Sequence, residues 1–125
     1  MTARPKRKPG GLDQSATDRL NTGLLQAAYD FDIVGVVNAL DQGADVAAVH
    51  EQTGLTALHI AAGTNNLALA KILVEDWAAP FGPDRFGRWP TAVAAACRAG
   101  GELCDYIVEQ EAAYLERTKD GSGRK

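Results

Sequence analysis

The strongest constraint on this chain is that it repeats itself. The segment Gly54-Leu-Thr-Ala-Leu-His-Ile-Ala-Ala62 returns as Gly87-Arg-Trp-Pro-Thr-Ala-Val-Ala-Ala95, with Gly87 in the place of Gly54. Upstream, Leu24-Leu-Gln-Ala-Ala28 lines up with Leu58-His-Ile-Ala-Ala62 at almost the same period. Three copies of one unit therefore take up most of the 125 residues. A unit this short cannot bury an apolar face alone, so the copies must stack in a row over a shared core. No residues are left for a second domain.

Each unit reads as two short helices. The spacing predicts first helices over 20–29, 57–63 and 90–98, and second helices over 33–40, 67–75 and from 102 onward. Ile33, Val36, Val37 and Leu40 recur at helical intervals, as do Leu69, Ile72 and Leu73. Asp32 and Asn66 stand where a side-chain oxygen would accept from first-turn amides. Asn65 and Gly43 suit the left-handed conformation that ends a helix. Alanine pairs at 27–28, 61–62 and 94–95 let neighbouring helices approach closely. The composition agrees: 22 alanines and few aromatics (Trp 2, Tyr 3, Phe 3) favour small packed helices over a large sheet. In the last helix Cys104, Val108, Ala112 and Leu115 form an apolar stripe expected to face inward, with Glu109, Glu111, Glu116 and Arg117 facing water.

The segment from Gly54 to Ala62 resembles the ankyrin-repeat signature G-x-T-P-L-H-x-A-A. Gly43-Ala-Asp-Val46 resembles the G-A-D-V after the second helix, and Asp84-Arg-Phe-Gly87 the D-x-x-G of the inter-repeat turn. This resemblance runs over residues 20–112 and implies an all-α ankyrin-repeat solenoid of helix-turn-helix units with short β-turn connections. The domain so implied covers 15–118, in repeats over 20–50, 51–83 and 84–118. A basic N-terminal tail over 1–14 and a C-terminal tail over 119–125 have disordered composition. Three departures stand out. One extra residue lengthens the turn His50-Glu-Gln-Thr-Gly54, where His50 replaces the family's Asp. Trp77 replaces the Gly of G-A-D before Ala79-Pro-Phe-Gly-Pro83; a bulky residue resists positive φ, so this connection is expected to be irregular. Trp89 replaces the capping Thr, while Pro90 keeps the first-turn position that helices favour.

The formal net charge of −3 conceals an acidic body with two basic ends. Residues 1–11 carry Arg4, Lys6, Arg7 and Lys8 with no acid, whereas 12–116 hold five bases against fifteen acids. No apolar run approaches the roughly 20 residues of a membrane span, and 1–10 lack a secretory apolar region. A cytoplasmic location without membrane contact is the expectation. Cys97 and Cys104 make no disulfide framework and no zinc-type pair.

Signals for catalysis are weak. His59 would make a tempting base, but it occupies the His of T-x-L-H, for which the resemblance implies a structural hydrogen-bonding role. His50 reads as an exposed turn residue. Neither histidine has a cysteine or carboxylate at metal-ligand spacing, and neither cysteine is paired with an activating base. There is no glycine-rich phosphate cradle. The expectation is no enzyme, no cofactor and no metal.

Binding is the better reading. Ankyrin-like stacks present turn tips and first helices as one concave surface. Mapped onto this chain, that surface comprises Tyr29, Asp30, Glu51, Gln52, Leu55 and Thr64, followed by Arg85, Phe86, Arg88, Trp89 and Arg98. Arg85-Phe-Gly-Arg-Trp89 joins cations to aromatics, the types enriched at interaction hot spots, so Arg85, Arg88 and Trp89 are the expected anchors. The competing expectation folds Phe86 or Trp89 back over Trp77 and Phe81. The expected function is non-enzymatic binding of a folded protein partner by a monomer or weak oligomer. An alternative is an inhibitor or regulator docking an enzyme or toxin through acids such as Asp30 and Glu51. Nucleic-acid association through the basic tails is disfavoured by the acidic body.

Overall fold

In the computed structural model, residues 14–123 are described. The chain runs through α1 (Gln14–Tyr29), α2 (Ile33–Asp41), α3 (Ala57–Gly63), α4 (Leu67–Lys71), α5 (Pro90–Ala96) and α6 (Gly101–Gly123). A single π turn, Ile72–Asp76, continues α4. Consecutive helices pair as α1/α2, α3/α4 and α5/α6, and the pairs stack through α1 on α3 and α3 on α5. No strand occurs among the described residues, and no helix among them is long and apolar enough to cross a membrane. The expected tail over 1–14 lies outside the described residues except for Gln14, which opens α1. The C-terminal tail expected over 119–125 overlaps the end of α6, which runs to Gly123.

The three first helices end in one motif. Phe31, Asn65 and Arg98 adopt φ of 60°, 58° and 57°, and the next amide reaches back to Ala27, Ala61 or Ala94, each at 2.9 Å. This bond satisfies a terminal carbonyl and turns the chain into the second helix. Asp32 and Asn66 then cap α2 and α4 by accepting from the Gly35 and Leu69 amides.

The irregular connection has a defined cause. In the first repeat Ala44 N–H donates to Ala39 O, with Gly43 at φ 117° between them. In the second, Ala79 N–H donates to Leu73 O, one residue further back. The π turn absorbs that extra residue, so the left-handed position falls on Ala78 (φ 51°) and not on Trp77 (φ −117°). The expected burden on Trp77 is thereby corrected.

Leu24, Leu58, Leu69, Leu73, Leu103 and Ile107 are fully buried and line the row of pairs. Each contributes roughly 1.5–3 kcal/mol by leaving water. Of the inward stripe predicted for α6 only Cys104 packs against the core; the buried line runs one residue earlier. Leu103 and Ile107 fill the core, and Tyr114 meets Phe81 with ring centroids 5.5 Å apart. Val108 and Leu115 instead stand 50% and 44% exposed, and Ala112 is exposed beside them.

Candidate functional site

The edge expected to be concave is built by two turns of unequal length. In the second, Asp84 N–H donates to Arg88 O at 2.8 Å, closing the turn around Gly87 at φ 80°. The buried Asp84 carboxylate sits inside it. Its Oδ1 accepts from the Phe86 and Arg88 amides at 2.8 and 2.9 Å, and its Oδ2 from Arg88 Nε at 2.9 Å. Arg88 Nη2 adds an ion pair at 2.8 Å. Burial pushes this carboxyl up, but the bonds from Arg88 and Phe86 and the Arg88 charge outweigh it and hold its pKa below the ordinary carboxylate value.

In the first turn His50 N–H donates to Leu55 O, one residue further along than in the second turn, as the extra residue requires. His50 takes the part of Asp84. Its Nδ1 accepts from the Gln52 and Thr53 amides at 3.2 and 3.4 Å. The histidine expected to be an exposed bystander is thus the centre of its turn. Arg85 N–H donates to Thr53 O at 2.9 Å and joins the two tips. Gly54 (φ 74°) makes that approach possible, since a Cβ there would lie 2.6 Å from the Arg85 amide nitrogen.

His59 ties this edge to the helices. Its Nδ1 accepts from Thr56 N–H at 3.2 Å, which places the ring proton on Nε2, and Nε2 donates to Arg88 O at 2.9 Å. The ring is only 2% exposed. Burial lowers its pKa, with the Arg88 carbonyl and Asp84 pulling the other way. A neutral, doubly bonded imidazole pinned in one tautomer is a structural group. The capping role that Thr56 plays for α3 passes in α5 to Glu111, whose Oε1 accepts from Thr91 N–H at 3.2 Å. The expectation that Glu111 faces water is corrected here; Trp89 has no side-chain oxygen to offer, so α6 supplies one.

Between the first turn and α1 lies a cleft of ≈ 490 Å³, lined by Asp18, Asn21, Thr22, Leu25, Gln26, Tyr29, Ala48, Val49, His50 and Glu51. Two expected site residues, Tyr29 and Glu51, meet there. Asp30 is exposed beside it and accepts from Gln26 Nε2 at 3.2 Å, and Gln52 is exposed at the tip. Arg85 is exposed on the second turn, with Phe86 at 67% exposure, so Phe86 does not fold back over Trp77 and Phe81. Arg98 is exposed beyond the end of α5. Others are also engaged within the chain. Leu55 and Trp89 pack against the core, and Thr64 Oγ1 donates to Ile60 O at 2.7 Å. The Arg88 guanidinium pairs with Asp84 and lies 5.3 Å from the Phe86 ring centroid. Of the three expected anchors, Arg85 is exposed, Arg88 is exposed but paired with Asp84, and Trp89 is half-buried against the core. The parts played by Asp18 and Gln26 carried no sequence signal, because the facing turn alone makes them a wall. No group of three metal-ligating side chains gathers among the described residues.

A row of helix pairs edged by projecting turns defines a repeat solenoid. The profile of the family described as Ankyrin repeats (3 copies) matches residues 24–119, and the chain belongs to that family. It is also 39% identical over 84 residues to Neurogenic locus notch homolog protein 4 of Homo sapiens, a match that covers 66% of this chain and 4% of that protein. Ankyrin repeats are protein–protein interaction modules.

Proposed function

We propose that this chain binds a folded protein through its concave edge, using the cleft at Tyr29, His50 and Glu51 together with the Arg85–Phe86 tip, and performs no catalysis. The observation that carries the reading is the second turn. A buried carboxylate, a guanidinium and an inter-turn bond hold it fixed while Phe86 remains 67% exposed with Arg85 beside it. A preformed surface loses little freedom on binding, so a few anchors dominate affinity. Capture from the source cells followed by cross-linking mass spectrometry provides the test. Cross-links should fall on residues 49–53 and 85–88. Arg85→Ala/Phe86→Ala should weaken the captured partner by at least about tenfold with unchanged helicity. A partner that binds this variant as well as the parent would overturn the reading.

The alternative of an inhibitor or regulator acting through its acidic face draws support from one feature. Asp18 and Glu51 line the cleft beside the Tyr29 ring, and no lysine or arginine among the described residues lines it. A lysine or arginine side chain would suit that lining by charge and by its fit to an aromatic face. Tyr29→Ala/Glu51→Gln should then weaken binding more than the Arg85/Phe86 variant, and added salt should weaken it further.

A further inference from the structure

The cleft between α1 and the first turn has an acidic lining and begins close to the start of α1. Asp18 and Glu51 line it, with Asn21 and Gln26 as further polar groups and the 46% exposed Tyr29 at its far end. Asp30 is exposed beside that ring. The base nearest in sequence, Arg19, lines a neighbouring hollow over Ser15 and Gly23. Just before α1 the sequence reverses sign: it reads Arg4-Pro-Lys-Arg-Lys8, and 1–11 contain no acid. The link over 9–13 spans up to about 20 Å when extended, and Gly10-Gly11 within it lets the chain reverse. Measured along α1 from Gln14, Asp18 lies at about 6 Å and Tyr29 at about 22 Å. Lys8 therefore reaches most of the cleft, and the bases before it reach the rest. The acids of α6 stand two helix pairs along the stack, and a tethered group is less concentrated the farther it must span.

We propose that residues 4–8 occupy this cleft in the same chain, their cationic side chains against Asp18 and Glu51 and over the Tyr29 ring, so that a partner must displace them. The proposal rests on the cation-accepting reading of the cleft given above and adds the occupant that the chain itself supplies. Charge and tether together select it. Arg4, Lys6, Arg7 and Lys8 meet a lining with two carboxylates and, among the described residues, no base. The short link holds them at an effective concentration of order millimolar, so contacts too weak to retain a free peptide still fill the cleft. Exposed charge pairs are individually weak and screened by salt, which makes the segment a competitor that yields to a better ligand. Neutralising Lys6 or Lys8, as acetylation does, would open the cleft.

A spin label on Ala3→Cys in the full chain, in a Cys97→Ser/Cys104→Ser background, tests this through the broadening of amide resonances. Signals of Thr22, Tyr29 and Glu51 should broaden, and those of Glu102 and Val108 at the other end of the stack should not. Asp18→Asn/Glu51→Gln or high salt should largely abolish the effect. Equal broadening at both ends, or broadening that survives those substitutions, would overturn the proposal. Broadening seen only between a labelled chain and a second, unlabelled one would also overturn it, by placing another copy's segment in the cleft. In a second arm a free peptide of residues 1–11 is titrated into the parent and into Arg4→Gln/Lys6→Gln/Arg7→Gln/Lys8→Gln. It should bind the substituted chain at least about threefold more tightly, because that chain's own segment no longer competes; equal affinity would overturn the proposal. Neither arm contains a partner, so a partner that avoids the cleft would break the earlier reading while leaving these results intact.

Discussion

In the second turn a buried carboxylate, Asp84, gathers two amides and a guanidinium at 2.8–2.9 Å, whereas in the first a half-buried imidazole, His50, takes two amides at 3.2 and 3.4 Å. The requirement common to both is an acceptor on the first residue of the turn. A ring nitrogen meets it as a carboxylate does, provided the loop is one residue longer to accommodate the ring. The strengths differ, because bonds to a charged acceptor are shorter and roughly twice as strong. The second turn is accordingly a stiff platform for Arg85 and Phe86. The first is a softer wall of a cleft.

The largest effect should come where the turns touch. Gly54→Ala forces a side chain onto the Arg85 backbone at positive φ and should cost about 3 kcal/mol. Gly87→Ala, with a similar φ but open space around it, should cost about 1 kcal/mol. Urea unfolding followed by circular dichroism checks both, and equal losses would show that the inter-turn contact adds nothing. Removing the acceptors separates the turns next. Asp84→Ala should cost about 2–3 kcal/mol and His50→Ala about 1 kcal/mol by the same measurement; a reversed order would break the contrast between stiff and soft. Glu111→Ala should cost about 1 kcal/mol, as loss of a helix cap does, and Glu111→Gln much less, because its amide oxygen still accepts.

Acid should produce the smallest change and should act on the histidine side first. The folded chain binds a proton at His59 less readily than the unfolded chain, so the stability it contributes is full above the ordinary value of 6.5 and falls as pH drops below it. Asp84 has the opposite sign of charge and a lowered pKa, so its contribution persists through that range and is lost only below 3.8. Thermal melting between pH 7 and 5 should therefore show a decline that His59→Gln reduces. A profile unchanged by that substitution would assign the decline elsewhere.

Local chemistry was legible in the sequence where one residue type does one job. Asp32 and Asn66 cap α2 and α4, Pro90 opens α5, and the bounds of α3 match the expected 57–63. Position within a helix was harder. In α6 the stripe Cys104-Val108-Ala112-Leu115 and the true core line through Leu103 and Ile107 have equally good helical spacing, so periodicity could not choose. The repeat could have, since Leu69 and Leu73 hold in the second unit the places that Leu103 and Ile107 hold in the third. The site was less legible than the fold. Arg88 and Trp89 have the composition of anchors, but Asp84 and the core occupy them, and nothing in residue type distinguishes an arginine that binds its own turn from one that awaits a partner. His50 was missed because its role depends on a ring nitrogen facing two amides.

The carboxylate of Glu111 also sets an order of assembly. A ribosome releases the chain from its N-terminus, and the caps of α2, α3 and α4 each come from the residue beside the helix, available as soon as the helix itself emerges. The amide of Thr91 must wait for a partner 20 residues later. The third helix pair can therefore close only after α6 has been made as far as Glu111, whereas the turn that carries Arg85 and Phe86 is fastened by Asp84, Arg88 and Thr53, all made before it.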